Sequence, residues 1–280
     1  MPPVTNPISR LAAAAVGLAL LLSAAPSFAQ DSGDNSGGRD FCADRPGKGT
    51  PACTLEPGRF QAEVGFVDYS HFQQGGVEDT GYDYGSLTLR LGLTDSMEGQ
   101  ILWTPYSVAR EKVGGVTFED TGSGDIGFSL RQAFTPADTT GISVAVQAII
   151  TAPTGSDGIS ADVWEGAILV PIDIPLSDDW AMELTPEVDI VGDSFGGGHH
   201  AAWAGSIGVT RQVSEVELGA ELWASRDDDP AGGTTQASFD LTAAWMPAGL
   251  NDVQFDVGVN FGLNSDTPDV EFGAGIAKRF

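Results

Sequence analysis

The stretch 253–264, VQFDVGVNFGLN, decides the architecture. Val253, Phe255, Val257, Val259, Phe261 and Leu263 alternate with Gln254, Asp256, Gly258, Asn260 and Gly262. Successive side chains of an extended chain point to opposite faces, so this segment has one apolar and one polar side. A helix would scatter the same residues around its axis. The pattern recurs in 180–190, WAMELTPEVDI, where Trp180, Met182, Leu184, Val188 and Ile190 oppose Glu183, Thr185, Glu187 and Asp189. It recurs again in 235–245, with Ala237, Phe239, Leu241 and Trp245 against Gln236, Ser238, Asp240 and Thr242.

Carried outward from these segments, the parity predicts strands near 59–69, 84–93, 97–106, 125–134, 141–151, 163–175, 179–191, 200–212, 214–224, 235–246, 253–263 and 269–280. An even set of roughly ten-residue segments is what antiparallel strands need to cross a membrane at a tilt. The expected fold is therefore all-β: a closed antiparallel transmembrane β-barrel of about 12 strands over 59–280. Alternate connections are short, such as 94–96 and 177–178. Several of those between them are longer, and 70–83, 107–124 and 152–162 are read as long linkers. Trp103, Trp164 and Trp203 fall near the long-linker ends of their strands, Trp180 and Trp245 near the short-turn ends, as two interfacial belts require. Trp223 breaks the rule, because its parity points to the polar face. The competing reading is a secreted β-sandwich or soluble barrel with the apolar face inward; the strand count, the two Trp belts and the terminal Phe280 favour lipid outside.

The N-terminal region is different. Residues 1–29 read as a signal peptide, with Arg10 before the apolar run Leu11–Leu22 and the small-residue site Ser27-Phe28-Ala29. Residues 30–58 are expected to be a periplasmic N-terminal segment. It holds both cysteines, Cys42 and Cys53, which an oxidising compartment would join as a disulfide. The last strand ends on Phe280, with Ile276, Ala274, Phe272 and Val270 on one face, and resembles the C-terminal signal read by the barrel-assembly machinery.

The chain has 39 acidic and 13 basic residues, a formal charge of −26. That balance excludes nucleic-acid binding, which needs Lys and Arg to neutralise phosphate. If the apolar face meets lipid, the polar face lines a lumen. There the parity places Glu98, Asp125, Glu165, Asp173, Glu183, Glu187, Asp189, Glu217, Glu221, Asp240 and Asp256, together with Glu63, Glu215 and Glu271, opposed mainly by Arg90 and Arg131. A passage lined by one sign of charge concentrates counter-ions, so a cation-favouring lumen is expected. The bland reading is that the carboxylates only pair with the arginines and keep the interior wet. A twelve-stranded lumen is modest, small enough for the N-terminal segment or an inward-folded loop to block, and a static plug is the main alternative to an open channel.

Gly192-Asp193-Ser194-Phe195 with His199-His200 superficially resembles a hydrolase nucleophile motif, but a Gly-rich external loop explains it without chemistry. Asp227-Asp228-Asp229 is read as a solvated external loop, with divalent cations bridging lipopolysaccharide as the lesser reading. No cofactor, metal or catalytic site is expected, and the chain is not read as an enzyme. The expected partners are small solutes, outer-membrane lipid and lipopolysaccharide.

Three stretches, 44–65 (DRPGKGTPACTLEPGRFQAEVG), 121–125 (TGSGD) and 149–154 (IITAPT), resemble a family of outer-membrane transporters associated with the meta-pathway of phenol degradation. The resemblance covers 44–280 and implies an outer-membrane barrel that admits aromatic or other small hydrophobic compounds. It brings no binding residues with it. The expectation is an outer-membrane channel for passive passage of small solutes. The alternatives are a closed structural or interaction barrel and, last, a lipid hydrolase.

Overall fold

The computed structural model describes residues 39–136, 141–250 and 252–280. The expected signal peptide and the linker up to residue 38 lie outside the described residues. The elements are β1 (Phe60–Gln74), β2 (Val77–Asp83), β3 (Leu87–Thr94), β4 (Met97–Trp103), β5 (Ser107–Val113), β6 (Val116–Gly122), β7 (Ile126–Ala133) and β8 (Ser143–Ala152). There follow β9 (Glu165–Leu169), β10 (Ile172–Pro175), β11 (Trp180–Gly192), β12 (His199–Val213), β13 (Val216–Asp227), β14 (Thr234–Trp245), β15 (Val253–Gly262) and β16 (Val270–Arg279).

All pairings are antiparallel, and β16 pairs back onto β1 from Gln61↔Arg279 to His71↔Val270, which closes the barrel. Three barrel strands are interrupted: β2 continues into β3, β4 into β5 and β6 into β7. A fourth is split into β9 and β10 around Val170-Pro171, both halves lying between β8 and β11. Counted as continuous staves, the barrel has twelve strands.

The apolar face points out. Ile101, Phe128, Leu130, Ile150, Ile207, Leu222, Leu241 and Val257 are exposed, whereas Gln61, Glu63, Arg90, Glu98, Arg131, Ser238 and Asp240 are fully buried. A water-soluble fold would invert that distribution. Within the barrel, closure leaves no unpaired strand edge, the condition for crossing a bilayer with strands. This is an outer-membrane β-barrel, with lipid against its outer face. Trp103, Trp164 and Trp203 are exposed toward one end, Trp180 and Trp245 toward the other. All four tyrosines, Tyr69, Tyr82, Tyr84 and Tyr106, form one chain of ring contacts 5.2–6.5 Å apart near the first of these ends.

The segments read as linkers 70–83 and 107–124 are not loops. They extend the first four staves beyond the barrel as a sheet, β1–β2–β5–β6, turned by Gly75-Gly76 and Gly114-Gly115. Both residues of each pair have positive φ, the type I′ geometry that matches strand twist and favours glycine. The extension, VEDTGYD, SVAREKV and VTFEDTG, carries charged residues on both faces and only Val113, Val116 and Phe118 as exposed large apolar side chains, so alternation gives little sign of it. A bulge between Gly65 and Val67 also reverses the parity of β1, turning Asp68 to the lumen.

Candidate functional site

The site is the lumen, and the N-terminal segment fills much of it. Residues 39–58 enter from the short-turn end, where Arg39 donates to the Asp95 carbonyl at 2.6 Å. The segment rises to a tip at Pro46-Gly47-Lys48-Gly49 and returns to Arg59. It carries no strand or helix of its own, so its backbone N–H groups must find partners on the wall. The wall carboxylates supply them. Asp44 N–H donates to Glu63 at 3.0 Å, Gly49 N–H to Glu221 at 2.8 Å, Ala52 N–H to Asp173 at 2.9 Å and Leu55 N–H to Glu98 at 2.9 Å. Thr50 N–H donates to Thr185 Oγ1 at 3.0 Å.

The expected disulfide, Cys42–Cys53, clasps the stem of this loop. The carbonyls beside it cap the two lumen arginines: Arg90 donates to the Cys42 carbonyl at 3.0 Å, Arg131 to that of Cys53 at 3.2 Å. Arg90 also reaches Glu63 at 3.0 Å and both oxygens of Glu98. Asp44 bridges the pair, 3.1 Å from Arg90 and 2.8 Å from Arg131. Gln61, Gln100 and Gln147 complete the network. Arg45 bonds Asp256 at 3.1 Å and Asp68 at 3.4 Å, over Gly65 and Gly275, where an added Cβ would strike the guanidinium. A Cβ on Gly49 would likewise strike the Glu183 and Glu221 carboxylates.

Of the sequence-predicted lumen residues, Glu98, Arg90, Arg131, Asp173, Glu221 and Asp256 meet the loop directly. Glu183 lies beside Gly49, and Asp240 is paired across the sheet with Glu221. Glu187 and Asp189 sit on β11 beyond Glu183 toward the outer end. Glu217 is exposed beside the inner cavity. Asp125 is taken up in a loop, where it accepts from the N–H groups of Thr154, Gly155 and Ala161 and from Ser160, and Glu165, the first residue of β9, accepts from Gly192 N–H at the end of β11. Sequence parity missed Asp44, Arg45 and Lys48, because nothing local places that segment inside. It also left Trp223 unexplained. The ring faces inward and packs under the Lys48 ammonium, 4.3 Å from its centroid.

Ser194 does not meet a histidine. Its hydroxyl donates to Asp229 at 2.5 Å, while His200 lies against Asp193 and Asp227 at 2.9 and 2.8 Å. The Ser194 hydrogen bond holds the Asp229 carboxyl below its ordinary range. Asp228 pairs with Arg226, so the triple-Asp run is committed within its own loops. Among the described residues there is no cluster of His, Cys, Asp and Glu placed to hold a metal.

A cavity of about 330 Å³ lies on the outer side of the loop tip, lined by Arg45, Lys48, Asp68, Ser70, Asn260 and Glu271. A second of about 300 Å³ lies toward the short-turn end, lined by Cys42, Asp44, Glu183, Glu217 and Gln254. Arg45, Pro46 and Gly47 line both, so the loop separates the two spaces.

Residues 43–280 match a family described as "Putative MetA-pathway of phenol degradation". The chain belongs to that family. The match starts within the lumen loop, so loop and barrel are parts of one family unit. Among solved structures, an outer membrane channel from Pseudomonas putida F1 is similar at 15% identity and a TM-score of 0.67, over 84% of this chain and 99% of that one. The β-domain of the Bordetella autotransporter BrkA is similar at 15% identity and a TM-score of 0.53, over 80% and 100%. Both likenesses concern the fold. No curated protein sequence matches the chain.

Asp44 gives the loop a pH dependence. Burial disfavours its carboxylate, but Arg131 and Arg90 outweigh that and hold its pKa below the ordinary value. The groups facing it are those two arginines, Glu63 and Gln100. A depressed pKa means the anchoring contribution is complete above the free-segment value of about 4 and is lost as pH falls through the anchored value. The excess open probability of Asp44→Asn over the unsubstituted protein in a planar bilayer should therefore be constant from neutral pH to about 4 and shrink below it. Equal open probability in the two proteins at neutral pH would show that Asp44 does not hold the loop.

Proposed function

We propose that this barrel is a passive outer-membrane channel for small polar or cationic solutes, with residues 39–58 forming its constriction. The observation that carries the reading is the arrangement of the lumen: a membrane barrel, polar inside, with cavities of small-solute size on both sides of a tethered loop. The similarity to the Pseudomonas putida channel supports the same direction. Much of the wall's acidity is engaged in holding the loop, through Glu63, Glu98, Asp173, Glu221 and Asp256. Charge preference therefore falls to the carboxylates nearer the openings, Glu187 and Asp189 outward and Glu217 inward. A field of one sign at a mouth enriches counter-ions there.

The test is single-channel recording of the refolded protein under a salt gradient. Discrete steps with a reversal potential on the cation side are expected, and Glu187→Gln, Asp189→Asn and Glu217→Gln together should bring it toward zero. Insertion without conductance would favour the closed interaction barrel, a reading for which the dense bonding of the loop is the specific observation. The family's link to phenol degradation makes aromatic solutes the competing substrate class. Phenol added to one side should leave the current unchanged if polar and cationic solutes are the substrates.

A further inference from the structure

Lys48 is the tip of the loop, and its ammonium is held in a cage that the barrel wall builds. Glu271 Oε2 lies 2.6 Å from Nζ, and the face of Trp223 lies 4.3 Å away. Asn260 Nδ2 donates to the same Glu271 oxygen at 3.1 Å and fixes the carboxylate. Asp240 is fully buried and electrostatically coupled to Lys48. One of its oxygens accepts from Ser238 at 3.1 Å, and its carboxyl also meets that of Glu221 on the neighbouring strand. Cross-strand registers Glu221↔Asp240, Asp240↔Asn260 and Asn260↔Glu271 set these groups in one row on four consecutive strands. The cage is thus part of the rigid wall, whereas its occupant arrives on a segment without secondary structure. Lys48 and Glu271 also line the outer cavity of about 330 Å³, which gives a solute access.

An aromatic face with a fixed carboxylate is the chemistry that selects an organic ammonium ion: cation–π attraction on one side, a charge-assisted hydrogen bond on the other. A hydrated inorganic cation gains less from the indole face. We propose that the Trp223–Glu271–Asp240 cage is a binding site for small organic ammonium ions, and that Lys48 is its tethered occupant. A free ammonium solute competes with Lys48 and, in displacing it, loosens the loop tip. The proposal names the substrate class of the channel reading and rests on that reading for its physiological meaning, but binding is measured separately from conduction.

Lys48→Ala removes the atoms of n-propylammonium, so that ion is the probe. Calorimetry on the detergent-solubilised full chain should show n-propylammonium binding to Lys48→Ala at least tenfold more tightly than to the unsubstituted protein. n-Propanol and sodium should not substitute for it, and adding Trp223→Leu to Lys48→Ala should weaken binding about tenfold, the range of one cation–π contact. Lys48→Met fills the cage without charge and should bind no probe. Equal affinity with and without Lys48, indifference to Trp223→Leu, or equal competition by sodium would overturn the proposal. A measurement on the unsubstituted protein avoids any folding defect. High-millimolar n-propylammonium should speed amide exchange across residues 47–49, where Lys48 and Gly49 N–H bond Glu221, and leave β13–β16 protected. Unchanged exchange overturns it. Conductance without probe binding would sink the cage and spare the channel, while probe binding without conductance would do the reverse.

Discussion

Deleting residues 39–58 is expected to leave a folded barrel that conducts several-fold more current than the full chain, with fewer closures. The barrel closes through β1–β16 pairing, in which the loop takes no part, so strand registration should survive. The loop occupies the middle of the lumen and separates the two cavities, so its removal joins them. The main cost falls on wall carboxylates that lose loop N–H partners: Glu63, Glu98, Asp173 and Glu221. Water entering the vacated lumen replaces those hydrogen bonds, whereas in a dry core each orphaned group would cost the full desolvation penalty. Arg90 keeps Glu63 and Glu98 without the loop. Planar-bilayer conductance, beside heat-modifiable gel mobility as the folding check, reads the result. A folded deletion variant with unaltered conductance would place the constriction elsewhere.

The barrel itself was legible because lipid outside and water inside impose opposite demands on neighbouring residues. Wherever both solvents act, as in 253–263 or 180–190, parity states which side chain goes where. It fails where only one acts. The outer extension of β2, β5 and β6 meets water on both faces, and its alternation vanishes. The usable signals there were the Gly75-Gly76 and Gly114-Gly115 pairs, which mark two-residue hairpins. The loop in the lumen is a different failure. Lys48–Glu271 and Arg45–Asp256 span more than 200 residues of sequence, and no local pattern encodes such pairs. In retrospect the imbalance itself was informative. A lumen face rich in carboxylates with Arg90 and Arg131 as its main cations lacks counter-charge and donors, and 39–58 brings Arg45, Lys48 and a run of backbone N–H groups. Trp223, whose parity points to the polar side, belongs to the same account, since an indole facing a wet lumen calls for a cation above it.

Arg90→Met is expected to be the most destabilising single change in the barrel. Arg90, Glu63 and Glu98 are each fully buried, and one guanidinium serves both carboxylates, Asp44 and the Cys42 carbonyl. Removing one partner of a buried ionic cluster typically costs about 3–5 kcal/mol, because the remaining charges stay desolvated and uncompensated. Arg131 cannot take over fully. It lies 3.4 Å from Glu98 but is already bonded to Gln147, Asp44 and the Cys53 carbonyl. The loss should appear as a lowered urea midpoint for unfolding from liposomes with the slope preserved. Arg110→Ala is the contrast. Its pair with Glu119 is half-exposed on the outer extension, where solvent screens the charges, and the midpoint should not move. The decisive variant is Arg90→Met combined with Glu63→Gln and Glu98→Gln. If uncompensated charge is the cause, neutralising both carboxylates should recover most of the loss. If the triple variant is as weak as Arg90→Met alone, the arginine acts through its packing and its hold on the loop stem, and the electrostatic account of the lumen base fails.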